Sequence, residues 1–179
     1  YGETPIVLDD AGRALEHVAL NATDTSLVVA GSAGSHLNVL TLSREENMMT
    51  GEVTSEQKRV ELPQMTEPVK AIFIDPRQQW LYVINGRALA DVFSLRDKSL
   101  NGRYKLLEDA DTEITASTQL VGGISLILGN SKGGLAQWFM ARDPDGEQRL
   151  KQIRTFQMGT APIVEISAEE RRKGFTALD

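Results

Sequence analysis

The feature that most constrains this chain is a recurrence. Asn85-Gly86 separates two apolar runs, "WLYVI" before it and "ALADVFSL" after it. Asn-Gly is a strong signal for a type I′ hairpin turn, because both central residues need φ > 0. The same form returns from Thr25 to Leu42 ("TSLVVAGSAGSHLNVLTL") and from Ile124 to Met140 ("ISLILGNSKGGLAQWFM"). The equivalent leucines are Leu27, Leu81 and Leu126, spaced 54 and 45 residues apart, and Phe175 in "GFTALD" opens another copy 49 residues on. Hairpins are therefore expected at Gly31–Gly34, Asn85–Gly86 and Gly129–Gly134.

The flanks recur as well. An extended segment and a polar turn precede each hairpin: "LEHVAL", "VKAIFI", "ITASTQL" and "IVEIS" are the four extended segments. A polar loop and a fourth strand follow each full copy, as "KRVEL", "YKLLE" and "KQIRTF". Four strands repeating every 45 to 54 residues match the period of propeller blades. The runs "SLVVA", "VKAIFI" and "ISLIL" are apolar at successive positions, as strands covered on both faces must be. The fourth strands alternate charge with apolar residues, as an outer strand wetted on one face would. No window sustains a 3.6-residue apolar period, so long helices are not expected.

The reading is an all-β chain: one partial β-propeller of about three and a half four-stranded antiparallel blades. The blades span roughly 15–62, 69–108 and 114–157, with partial blades at 5–9 ("PIVL") and 162–179. Propellers ordinarily have four to eight blades. The chain therefore reads as a piece of a longer protein whose end blades are normally covered. Such an arc, taken alone, is expected to self-associate as a dimer, because bare apolar faces and unpaired strand edges invite association.

Composition narrows the chemistry. The net charge of −6 argues against a nucleic-acid groove, which carries a basic excess. No run approaches the roughly 20 apolar residues that span a bilayer. Cysteine is absent, which removes disulfides, thiolate metal sites and cysteine nucleophiles together. His17 and His36 are the only histidines, and neither has a close metal-type partner in sequence. No catalytic, cofactor-binding or metal-binding residue is assigned.

The remaining candidates each have a plain structural reading. Asp143 and Asp145 in "DPDGE" echo a calcium loop but lack its third ligand and distant glutamate, and Pro-Asp-Gly is a good turn. "GSAGS" and "GNSKGG" offer backbone amides to an anion, yet neither opens a helix, so hairpin turns explain them; Lys132 is the exposed cation to test. "EERRKG" reads as a solvated turn, and Asn21-Ala22-Thr23 as a chance glycosylation triplet. Trp80 and Trp138 are expected to pack between blades. Lys132, Asp143 and Asp145 are thus the candidate ligand or partner contacts.

The copies lack the Gly-His and Trp-Asp ends of WD40 repeats, so the repeat is similar to a degenerate, WD40-like one. Three stretches, "LDDAGRALEHVALN", "GGLAQWFMARDPDGEQRLKQIRTF" and "GTAPIVEISAEERRKGFTALD", together resemble the extramembrane segment of large bacterial permease subunits of phosphate-type ABC transporters. The resemblance implies a non-enzymatic interaction or regulatory domain on the periplasmic side of the inner membrane. Its implied partners are the transporter membrane domain, an ATPase subunit and a substrate-binding protein, and it transfers no site residues. The alternatives are a free-standing cytoplasmic scaffold and, with so few histidines, least of all a lactonase- or quinoprotein-like enzyme.

The all-β reading is checked by circular dichroism. A helix share below about a quarter is expected, against about a third in ordinary globular domains, and a larger share would overturn it.

Overall fold

A computed structural model describes residues 14–169, 171 and 174–179. The first partial blade, "PIVL" at 5–8, lies outside the described residues. Fourteen strands follow in chain order among the rest, and no helix occurs. The first sheet contains β1 (His17–Ala22), β2 (Ser26–Ala33), β3 (His36–Glu46) and β4 (Val53–Glu61). The second contains β5 (Val69–Ile74), β6 (Trp80–Asn85), β7 (Leu89–Ser94) and β8 (Ser99–Lys105). The third contains β9 (Ile114–Gln119), β10 (Ser125–Asn130), β11 (Gly134–Arg142) and β12 (Gln148–Gln157). A two-stranded sheet of β13 (Glu165–Ala168) and β14 (Phe175–Leu178) ends the series. Every pairing is antiparallel between consecutive strands, so each sheet is a simple meander.

The turns differ from expectation in an informative way. β2 continues through Gly31, Ser32 and Ala33, and the chain reverses only at Gly34 and Ser35, with Ala33 opposite His36. Gly34 has φ +60, as the first central position of a type II′ turn requires. Asn85-Gly86 is not a two-residue I′ turn. Three residues, Gly86 to Ala88, separate β6 from β7, and the positive φ falls on Ala88 (54°). The Asn85 side chain explains the shift: its Oδ1 accepts from the amides of Arg87 (3.0 Å) and Leu89 (3.1 Å). Asparagine here caps a longer loop and does not itself occupy the left-handed position.

The same device closes the third sheet's hairpin. Asn130 Oδ1 accepts from Lys132 N (2.9 Å) and Gly134 N (3.0 Å), and Gly133 takes the positive φ. The expected turn at Gly129–Gly134 therefore narrows to residues 131–133. Asp75 repeats the pattern between β5 and β6, accepting from Arg77 N (3.1 Å) and Gln79 N (2.6 Å), with Gln78 at φ 54.

Packing runs in chain order, sheet against sheet. Val28, Ala30 and Val39 of the first sheet share one buried cluster with Ile72, Leu81, Val83 and Phe93 of the second. Tyr82, Ile84, Ala90 and Val92 of the second share another with Leu126, Leu128, Trp138 and Leu150 of the third. Ile127 and Leu135 of the third meet Ile163 and Ile166, with Phe175 and Ala177 packed beside them. Alternate residues of β6 thus face opposite neighbours, Leu81 and Val83 one way and Tyr82 and Ile84 the other. This is why its apolar run is continuous in sequence and not alternating.

Polar groups pin adjacent sheets at fixed points. From the β5–β6 turn, Gln78 Nε2 donates to Asn21 O (3.0 Å) and Asn21 Oδ1 (3.1 Å) of the first sheet, and its Oε1 accepts from Ser26 Oγ. Gln119 Nε2, on the third sheet, donates to Ile74 O of the second (3.1 Å). Asp91, wholly buried, is held by the Arg103 fork through Nε (2.5 Å) and Nη2 (2.9 Å) on the neighbouring strand. A bidentate guanidinium satisfies a carboxylate that burial alone would disfavour.

These clusters carry the fold's stability. Ile84→Ala, at a position with no exposure, is expected to lower unfolding stability by about 3 kcal/mol. Leu100→Ala, at a position 46% exposed, is expected to change it by no more than about 0.5 kcal/mol. Urea denaturation of the two variants checks both, and equal losses would contradict the stacking described here.

Candidate interaction surface

The three contacts expected from sequence do not form one site. Lys132 sits in the β10–β11 turn and Asp143 and Asp145 in the β11–β12 turn, at opposite ends of β11. Nine residues of extended chain separate the two turns by about 30 Å. Lys132 Nζ is ion-paired with Asp109 of the β8–β9 connection. That ammonium, with a backbone hydrogen bond from Asp111 beside it, draws the Asp109 carboxyl down to a pKa of about 2. The amides of "GNSKGG" are engaged too, since Lys132 N and Gly134 N point at Asn130.

Asp143 and Asp145 build a turn and an ion-pair cluster. Asp143 N–H donates to Glu147 O (2.8 Å), Gly146 N–H to Asp143 O (2.9 Å), and Glu147 N–H to Asp145 Oδ1 (3.0 Å). Arg149 bridges the two carboxylates, Nη1 on Asp143 and Nη2 on Asp145 (2.8 Å), while Lys151 Nζ holds the other Asp143 oxygen. Lys151 first, and Arg149 after it, lower the Asp143 pKa. Two cations therefore neutralise two carboxylates, which leaves the turn reading in place. Among the described residues no group of three His, Cys, Asp or Glu side chains stands close enough to hold a metal ion.

Other candidates fall where packing explains them. Trp138 is buried and Trp80 half-buried in the cluster between the second and third sheets. Asn21 of the glycosylation triplet is bonded to Gln78. His17 and His36 begin β1 and β3, each half-buried. Glu170, Arg172 and Lys173 of "EERRKG" lie outside the described residues.

An open groove of about 630 Å³ lies elsewhere, between the outer half of the third sheet and β14. Its walls are Leu120, Ile124, Phe139, Ile153, Phe156 and Phe175, with Ser125, Gln137 and Arg154 as its polar members. Ile124 is 57% exposed, and Ile153 and Phe156 41% each. The Phe156 and Phe175 rings meet edge to face, with centroids 5.9 Å apart at 70°. β12 borders the groove because its ladder with β11 slips by one residue between Gln137 and Trp138. Gln137 opposes Arg154 and Trp138 opposes Gln152, so Ile153 is the extra residue that a bulge turns outward.

Nothing in "KQIRTF" singles out this groove, since its alternation equally describes an ordinary outer strand. The available signal was the pair Ile153 and Phe156, two large apolar residues on a strand expected to be half wet. Apolar walls with one guanidinium suit the burial of a hydrophobic surface. The chain matches no protein-family model, and no curated protein matches it in sequence.

The Lys132–Asp109 pair yields a pH prediction. The Asp109 pKa is lower folded than unfolded, so the pair stabilises above about pH 4 and is lost as pH falls toward 2. Lys132→Ala is expected to raise the Asp109 pKa in a carboxyl NMR titration, because Lys132 is the largest of the influences that lower it. An unmoved titration would show that Lys132 does not set it.

Proposed function

We propose that this chain is a partial, WD40-like propeller arc serving as a non-enzymatic interaction domain of a phosphate-type ABC transporter permease, on the periplasmic side of the inner membrane. The observation that carries the interaction part is the open groove: a rigid pair of sheets presents exposed Ile124, Ile153 and Phe156 around a single guanidinium. Exposed apolar groups on a stiff scaffold are the usual material of protein contact surfaces. Three meanders stacked face to face supply that stiffness and support the propeller reading.

The permease assignment rests on the likeness of the three stretches quoted above and extends to the implied partners: the membrane domain, the ATPase and the substrate-binding protein. A binding domain of this kind works through its surface and needs no catalytic group. The meander loops at either end of the sheets would set its distance and orientation relative to the transport subunits.

Fractionation of the source cells tests the proposal. An antibody against this chain is expected to find it in inner membranes, accessible to protease in spheroplasts and protected in intact cells. Crosslinking is expected to recover the ATPase and the membrane domain with it. Recovery in the cytosol, with other soluble proteins crosslinked, would replace the proposal with the scaffold reading.

A further inference from the structure

We propose that a cavity in the seam between the second and third sheets binds a small single-ring carboxylic acid that carries a hydroxyl on the far side of the ring. The cavity holds about 220 Å³. One wall is the β5–β6 turn and the start of β6, with Asp75, Arg77, Trp80 and Tyr82. The other is the third sheet, with Phe139 and Met140 of β11. Both sheets have all four strands, so this seam is a finished interface of the repeat. The inference goes beyond the interaction-domain reading above and does not rest on it.

The observation that points to a ligand is Tyr82. The residue is 2% exposed, yet its hydroxyl makes no hydrogen bond among the described residues. Buried phenols ordinarily find a partner. This hydroxyl is not sealed in the core like the unpaired groups of Ser32, Asn85 and Trp138; it opens on the cavity that Tyr82 lines. Burial and the Asp75 carboxylate keep the phenol protonated, so it offers a donor. Asp75 is buried as well and forms no ion pair among the described residues. Its oxygens accept from the amides of Arg77, Gln79 and Trp80, which leaves one of about four acceptor positions unused. A ligand hydroxyl answers both groups, accepting from Tyr82 and donating to Asp75. An anionic group does not belong at this depth, because the Asp75 charge repels it.

The carboxylate belongs at the other end. Arg77 is exposed while Tyr82 is buried, so it marks the solvent side of the cavity. Its guanidinium has no ion-pair or hydrogen-bond partner among the described residues. A planar guanidinium matches a carboxylate in shape and charge. Between the two ends, the rings of Trp80 and Phe139 and the thioether of Met140 suit a flat apolar body. Drug-sized ligands fill roughly 300–1,000 Å³, so about 220 Å³ admits one ring with its substituents. A quaternary ammonium would suit the rings and Asp75, but it would leave Tyr82 unpaired and meet Arg77 as a like charge.

The test titrates the 179-residue chain with 4-hydroxybenzoate by calorimetry. Saturable binding with a Kd below about 1 mM is expected. Benzoate, which lacks the hydroxyl, and phenol, which lacks the carboxylate, are each expected to bind at least about fivefold more weakly. Tyr82→Phe is expected to bring 4-hydroxybenzoate down to the affinity of benzoate while leaving benzoate itself unchanged. Arg77→Gln, at an exposed position, is expected to weaken 4-hydroxybenzoate about fivefold and leave phenol unchanged. If Tyr82→Phe does not fold by circular dichroism, the Arg77 variant and the ligand series decide alone. No saturable binding, equal binding of the three ligands, or a loss in either variant that falls equally on its control ligand would each overturn the proposal. So would tighter binding of tetramethylammonium than of 4-hydroxybenzoate, since the rings and Asp75 would then select a cation. Cell fractionation bears on none of these outcomes, so this inference and the permease assignment fail separately.

Discussion

The structure depends on strands that have no solvent side. Leu81 through Asn85 are buried at every position, and Leu126 through Gly129 likewise. A strand of this kind is stable only between two other sheets, because each face must lose its contact with water. One meander cannot fold alone on these terms. Each sheet is at once a core for its predecessor and a lid for its successor, and stability belongs to the interfaces between repeats.

That dependence explains where the polar residues go. With both faces of the central strands occupied, hydrogen-bonding side chains are left to the strand ends, and there they close turns. Asn85 and Asn130 each direct Oδ1 at two amides around a three-residue reversal, and Asp75 Oδ1 accepts from the amides of Gln79 and Trp80 in the longer β5–β6 turn. Tyr82 is buried inside the stack: that burial, reinforced by the Asp75 carboxylate, pushes its phenol well above the ordinary range. Asp91, wholly buried, is met at both oxygens by Arg103 on the adjacent strand. The loop carboxylates and amines are likewise engaged with one another, so the functional candidates named by residue type are mostly structural.

The repeat was legible because burial on both faces writes a distinctive signal, runs such as "WLYVI" and "ISLIL" at regular spacing. The order of the strands and the outer position of β4, β8 and β12 followed from it. Turn type was less legible. Asn-Gly favours the I′ turn by backbone preference, but Asn85 instead caps a longer loop, and Ala88 accepts the left-handed conformation. That choice is made by two hydrogen bonds that no composition rule reports. The groove was least legible. It arises from a one-residue slip in the β11–β12 ladder and from the pairing of Phe156 with a ring nineteen positions away. Both are properties of register, and a sequence shows alternation without showing what lies opposite.

The groove's chemistry is therefore a consequence of the stacking rule and not an addition to it. The third sheet must bury both faces, yet on its far side β13 and β14 cover only the half nearest β9 and β10. The other half keeps its apolar character because its residues follow the same repeat as the covered interfaces. An enclosed interface would hide Phe139 and Phe156; here they stay in reach of solvent beside a β14 edge that no strand among the described residues pairs with.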